Sequence, residues 1–166
     1  MKTKLPRLFA FFFAAILAAV ALAACGPKDV KKPANAIIIT VSGGQAQTVN
    51  LKEYIENNLV TDKNYTMPSK KESLGQILDE LADKHGLHLL ANNSDYGRWF
   101  DEIGSLIPAS GSNEFIALYS DCNDITYSFF EMKAAVDGVT YYLANYGFDS
   151  MPALDGVSYC IFLDVF

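Results

Sequence analysis

The stretch SKKESLGQILDELADKHG, residues 69–86, is the clearest helix signal in the chain, and the rest of the fold is interpreted around it. Ser69 and Glu72 have the spacing of a capping box, which satisfies two backbone N–H groups at a helix start. Gly86 is a natural C-terminal stop. Apolar side chains form one narrow stripe along this helix: Leu74, Ile77, Leu78 and Leu81. Because the stripe is one-sided, we expect the helix to lie on a sheet.

Strand signals occupy the sequence on both sides of this helix. AIIITVS at Ala36–Ser42 is rich in β-branched residues and predicts the first strand. The segment from Asn50 has two interpretations: a short helix with Leu51, Tyr54, Ile55 and Leu59 on one face, or a strand through Val49 and Leu51. Further strands are predicted at residues 64–67, 87–91, 98–103, 114–120, 125–130, 134–136, 139–143 and 158–166.

Two of these strands flank Asp137-Gly138, a strong hairpin signal. The last strand, residues 158–166, is apolar at nearly every position and should be covered on both faces or lie centrally. One helix across a mixed sheet of four to six strands is an α+β fold.

The first 25 residues have the pattern of an export signal. Lys2, Lys4 and Arg7 precede an apolar run at residues 8–24, and small residues precede Cys25. The segment LAAC, residues 22–25, resembles the lipobox of bacterial lipoproteins. It predicts cleavage before Cys25 and lipidation of its sulfur, and an uncleaved transmembrane anchor is the alternative. The expected organisation is a signal peptide at 1–24, a flexible membrane tether at 25–35 and a folded domain at 36–166, lipid-anchored on the extracytoplasmic face of the cell membrane.

Charge and cysteine content restrict the partners and the covalent structure. Removal of residues 1–24 takes away three basic residues and no acidic ones, so the formal charge falls from −6 to −9. That balance argues against nucleic acid as a partner, because binding it requires a basic face. With Cys25 lipidated, Cys122 and Cys160 are either a disulfide pair in an oxidising compartment or two buried free thiols.

Four segments in order resemble one known family: SLGQILDEL (73–81), DYGRWFDEIGSL (95–106), EFIALYSD (114–121) and YGFDSMPALDGVSYCIFL (146–163). Together they are similar to the transcobalamin-like C-terminal domain of bacterial surface lipoproteins. The resemblance implies a β-grasp, a mixed sheet curled around one main helix. It also implies a ligand-binding module, with cobalamin or a related flat molecule as the bound ligand rather than as a cofactor.

Carried over residue by residue, the resemblance implies ligand contact by Phe115 and Tyr119 on one strand and by Tyr146 and Phe148 before the final turn. It places Trp99 on a core strand, where packing is favoured over binding. The alternative function is a structural or adhesive surface domain that binds a protein or a cell-wall polymer, with strand addition at a sheet edge as the mode.

No catalytic constellation stands out in the sequence, so a non-enzymatic protein is expected. His85 and His88 are the two histidines, and they do not supply the three or four convergent ligands of a metal site. No metal ligands are therefore predicted.

Overall fold

The computed structural model describes residues 30–94, 97–127 and 132–165. The predicted signal peptide, the LAAC segment and Cys25 lie outside the described residues, as do residues 128–130 of the predicted strand at 125–130. The described part of that prediction was wrong, because Ile125 ends a 3₁₀ helix and residues 126–127 are not in a strand. The strands are β1 (Ala36–Ser42), β2 (Thr48–Ile55), β3 (Asn58–Thr66), β4 (Leu89–Ser94), β5 (Gly97–Ile103), β6 (Glu114–Ser120), β7 (Lys133–Val136), β8 (Val139–Leu143) and β9 (Ser158–Val165). The helix α1 spans Leu74–His85, and a short 3₁₀ helix spans Asn123–Ile125.

Seven strands form one sheet in the order β3-β2-β1-β9-β6-β8-β7, and every strand pair in it is antiparallel. The hairpin β4–β5 is a separate two-stranded sheet. The predicted final strand, β9, lies between β1 and β6, which agrees with its apolar sequence.

Side chains along the central strands point alternately to the two faces of the sheet, so each face carries its own cluster of buried residues. The first face carries Ile37, Ile39 and Ile161, which pack with the buried stripe of α1 and with residues of β5. The second face carries Ile38, Cys160 and residues of β7 and β8. Since fully burying one Leu or Ile side chain stabilises a fold by about 1.5–3 kcal/mol, both faces contribute substantially.

The sheet curls enough to bring β2 into contact with the β7–β8 turn. Tyr54 on β2 donates a hydrogen bond of 2.9 Å to Asp137 in the β7–β8 turn, although these strands lie near opposite ends of the strand order. Burial and the neighbouring carboxylate raise the pKa of Tyr54 to about 12. The concave face is therefore covered by the sheet itself.

This architecture contradicts the β-grasp prediction. In the described residues the protein is mostly β, with a curled antiparallel seven-stranded sheet that is neither mixed nor built around a main helix. α1 covers part of one face only, because the β4–β5 hairpin and residues 144–157 cover the rest of that face. The sequence signals identified individual strands, but they carried no information about strand number or curling.

Local predictions had mixed outcomes. The helix reading after Asn50 was wrong and the strand alternative is confirmed, because antiparallel pairing along β1 over seven register positions outweighs a weak helical pattern. The predicted capping box was also wrong: the N-cap is Ser73, whose hydroxyl accepts a 3.4 Å hydrogen bond from the Gln76 N–H. Gly86 is confirmed as the C-cap, at φ 73°.

Residues 30–35, which were predicted to be part of a flexible tether, are bound to the domain. Lys31 pairs with β7 through two backbone hydrogen bonds, and the Ala34 carbonyl accepts a hydrogen bond from the Asn57 N–H. Within 30–94, 97–127 and 132–165, no helix is long and apolar enough to cross a membrane.

Candidate functional site

An apolar groove of about 190 Å³ opens beside β6, and we call it the aromatic groove. Its lining comes from β5, from β6 and from the chain after β8, and comprises Arg98, Trp99, Phe100, Phe115, Ile116, Ala117, Leu118, Leu143, Ala144, Tyr146, Gly147 and Phe148. Among the described residues β8 pairs with β6 at Tyr119 and Ser120 only, so the groove lies beside the first part of β6, which has no paired strand on that side in this part of the chain.

Two aromatic side chains at the groove remain largely exposed. Trp99 is 51% exposed and Tyr146 is 46% exposed. Deeper in the groove, Phe148 is buried and packs edge-to-face on Phe100, with ring centroids 4.8 Å apart. Such a pair is worth about 0.5–1.5 kcal/mol beyond its buried area. The groove therefore combines a rigid aromatic base with two exposed rings.

The predicted ligand-contact residues are only partly brought together. Phe115, Tyr146 and Phe148 line the aromatic groove, whereas Tyr119 lies on the concave face, fully buried against Phe162. The hydroxyl of Tyr119 donates a hydrogen bond to Asp164 at 3.4 Å. Burial raises the pKa of Tyr119 above its ordinary value. Tyr119 is separated from the groove because β8 pairs with β6 at this position and closes the edge there.

Sequence reasoning assigned Trp99 to packing, but its side chain is half exposed and lines the groove. The available signal was alternation at the start of β5: Phe100 faces the core, so its neighbour Trp99 faces away from it.

One end of the aromatic groove carries an arginine held by two carboxylates. Arg98 donates to both oxygens of Asp79 on α1, at 2.6 and 3.0 Å. It also donates to Asp149, at 2.6 Å from Nη2 and 3.0 Å from Nε. These hydrogen bonds lower the pKa of Asp149 and raise that of Arg98. Two carboxylates on one guanidinium leave a net negative charge at this end.

Gly75 in the first turn of α1 makes room for this cluster. A Cβ at this position would lie 2.4 Å from Asp149 Oδ1 and 3.1 Å from Arg98 Nη2. The backbone N–H of Gly75 also donates to the Phe148 carbonyl at 2.9 Å. The start of the helix therefore positions the loop that carries Tyr146, Phe148 and Asp149.

A larger cavity of about 540 Å³ lies between the loops at 43–47, 67–70 and 153–155. It has no aromatic lining, and its carboxylate, Asp155, already accepts a hydrogen bond from the Gly43 N–H. We favour the aromatic groove as the candidate site because flat apolar surfaces give a ligand large contact area at low entropic cost.

The thiols and histidines have structural placements. Cys122 and Cys160 are free and belong to clusters on opposite faces of the sheet, so the disulfide alternative is not present. His85 packs on Tyr65 with ring centroids 4.4 Å apart, and His88 pairs with Glu102 at 2.5 Å. In the part of the chain that the structure describes, no three His, Cys, Asp or Glu residues are grouped to hold a metal ion.

Comparison with known proteins adds no family assignment. No family model, curated protein or solved structure matches the chain.

Proposed function

We propose that this protein is a membrane-anchored, extracytoplasmic lipoprotein that acts as a non-enzymatic binding module, with the aromatic groove as its ligand site. The observation that carries the proposal is the exposure of Trp99 and Tyr146 beside an apolar groove. Large aromatic side chains left in water next to a concave apolar surface are typical of a recognition site.

The size of the groove limits the ligand. A dry apolar cavity of about 150 Å³ holds one benzene molecule, whereas drug-sized ligands occupy about 300–1,000 Å³. The aromatic groove, at about 190 Å³, has room for one flat ring or one large apolar side chain. Cobalamin would enter only by one edge or one substituent, so a smaller flat group suits the groove better.

The anchoring part of the proposal rests on the lipobox-like segment LAAC at residues 22–25. Lys31 is the first residue whose backbone is hydrogen-bonded to the sheet in the described residues, and it follows Cys25 by six residues. Six residues span at most about 20 Å. Lipidation at Cys25 would therefore hold the domain close to the membrane surface, with the groove available to extracytoplasmic ligands.

The non-enzymatic assignment is supported by the chemistry of the groove. Its charged lining residue is Arg98, and this guanidinium is engaged by Asp79 and Asp149. A paired arginine in an apolar groove supplies neither a nucleophile nor a general base.

The proposal is tested by ligand titration of the purified, lipidated protein. N-acetylphenylalanine amide absorbs little light where tryptophan does, and Trp99 is the single tryptophan, so its fluorescence reports occupancy of the groove. We expect saturable change with this probe, loss of binding in Tyr146→Ala, and no loss in Leu90→Ala, which alters a comparably exposed side chain outside the groove. Equilibrium dialysis against cobalamin tests that ligand separately.

A second candidate function is adhesion to a surface protein or a cell-wall polymer. The same two exposed rings could receive an aromatic side chain of a protein partner rather than a small molecule. Absence of saturable binding by both small probes, together with binding of surface protein that is lost in Tyr146→Ala, would favour this candidate.

A further inference from the structure

We propose that the outer edge of β3 is a second docking surface, which binds an extended segment of another protein by strand addition. β3 is the terminal strand of the seven-stranded sheet and spans nine residues, Asn58–Thr66. Most of its side chains are exposed, including Leu59 at 47% and Val60 at 54%. Three strands separate β3 from β6, which lines the aromatic groove, so this surface is independent of the groove.

Hydrogen bonding identifies which peptide groups of β3 face its neighbour. The Met67 N–H donates to the Gln47 carbonyl at 2.9 Å just beyond the strand. Peptide groups alternate in direction along an antiparallel strand, so Lys63 and Tyr65 also face β2.

The peptide groups of Asp62, Asn64 and Thr66 consequently face outward, and all three residues are exposed. Within the described residues these outward groups have no backbone partner on that side. A row of unpaired N–H and C=O groups on an exposed edge is a template for another strand.

At the other end of the sheet, the outer edge of β7 forms backbone hydrogen bonds with a further segment of the chain. Lys31 lies beside β7, where its N–H donates to the Lys133 carbonyl at 2.9 Å and its carbonyl accepts from the Ala135 N–H at 2.8 Å. The chain's own N-terminal segment thus covers the β7 edge, whereas no described residue covers the β3 edge in the same way.

Charge argues that the occupant is a different protein rather than a second copy. Two copies related by a twofold axis, paired along the full length of β3, would place Asp62 opposite Asp62 of the second copy. Like charges directly opposite each other destabilise a strand pair, and both copies carry a negative net charge. The complementary partner is an extended segment with Lys or Arg opposite Asp62 and β-branched residues beside it.

The probe is a nine-residue peptide of alternating threonine and valine with lysine at its centre, and the control peptide has aspartate at its centre. Residue-level hydrogen–deuterium exchange is measured on the full lipidated chain in micelles. We expect the lysine peptide at millimolar concentration to slow exchange at Asp62, Asn64 and Thr66, and the aspartate peptide to slow it at least about fivefold less.

The matched variants are Asn64→Pro and Asn64→Ala. Proline at an outward-facing edge position keeps the ladder to β2 but removes the outward donor, whereas alanine keeps that donor. We expect Asn64→Pro to weaken peptide binding about tenfold or more and Asn64→Ala to change it less than about twofold. Circular dichroism checks that both variants fold.

Three outcomes would overturn the proposal. One is unchanged exchange with the lysine peptide. Another is equal binding by the proline and alanine variants. The third is self-association that Asn64→Pro abolishes, which would make a second copy the occupant. Trp99→Ala, which alters the groove, should leave peptide binding at β3 unchanged, so failure of the groove proposal and failure of this one are distinguishable.

Discussion

The carboxylate of Asp164 on β9 is buried against the ammonium of Lys31, whose nitrogen lies 2.5 Å from each of its oxygens. Asp164 is 5% exposed, and it also accepts hydrogen bonds from the Tyr119 hydroxyl and the Val165 N–H. Because Lys31 also pairs with the backbone of β7, one residue fastens the N-terminal segment to both the side chains and the main chain of the sheet.

Replacing this lysine should destabilise the domain. We expect Lys31→Ala to lower the free energy of unfolding by about 2 kcal/mol, because it leaves Asp164 buried without its counterion. That is less than the roughly 3–5 kcal/mol for a fully buried pair, since the Lys31 side chain is 35% exposed. Urea denaturation measures the change. Lys32→Ala, at an exposed neighbouring position, is the control and should shift stability by less than about 0.5 kcal/mol.

Gly75→Ala should destabilise the protein although alanine is the better helix former. Helix propensity alone predicts a gain of about 1 kcal/mol. The added Cβ would instead lie 2.4 Å from Asp149 Oδ1, so we expect a net loss of about 1–3 kcal/mol. A double-mutant cycle with Asp149→Ala is the control: most of the loss should disappear once the carboxylate is gone. A stabilised single variant would contradict the close approach.

The pair between Asp149 and Arg98 should make stability dependent on acid pH. Arg98 holds the pKa of Asp149 below its ordinary 3.8, so its contribution is complete above that value and is lost as pH falls through the lower folded value. After allowance for solvent screening, we expect Asp149→Asn to be about 1 kcal/mol less stable at pH 7. The difference from the unmodified protein should shrink as the pH falls below the ordinary value of 3.8, as measured by denaturation at each pH. Asp83→Asn, at an exposed position, is the control and should change stability at pH 7 by less than about 0.5 kcal/mol.

Two aromatic residues of the groove should separate binding from stability. Trp99→Ala removes a side chain that is 51% exposed, so we expect stability to change by less than about 1 kcal/mol while probe binding is lost. Phe148→Ala removes a buried ring packed on Phe100 and should cost about 3 kcal/mol or more. Because Trp99→Ala removes the fluorophore, calorimetry measures binding in this variant. Equal destabilisation by the two substitutions would mean that Trp99 is part of the core.

Local signals predicted elements well where one residue dictates the backbone. Gly86 ends α1 because it adopts φ 73°, and Asp137-Gly138 forms the β7–β8 turn with φ values of 52° and 76°. The capping prediction failed because Ser69 and Ser73 both precede the apolar stripe. The choice between them depends on where the loop at 147–152 docks, since Leu74 N–H donates to the Met151 carbonyl.

The candidate site was predicted in part. Phe115, Tyr146 and Phe148 are in the aromatic groove, but Tyr119, four residues from Phe115 on the same strand, is excluded by the pairing of β8. Trp99 was missed because its exposure depends on which face of the β4–β5 hairpin meets the core. Arg98 and its two carboxylates come from three separate parts of the chain, and no local spacing indicates their contact.

By itself the sequence determined the helix at Leu74–His85, most of the strands, the acidic net charge and the lipobox-like pattern before residue 26. These features follow from side-chain periodicity, backbone preference and composition, which act over a few residues. The tertiary structure decided the order of the seven strands, the curl that brings Tyr54 to Asp137, the burial of Asp164 against Lys31 and the aromatic groove. Each of these depends on contacts between residues far apart in the chain. A local sequence pattern indicates that a segment can form a strand or a buried face, but it does not indicate which distant segment that strand or face will contact.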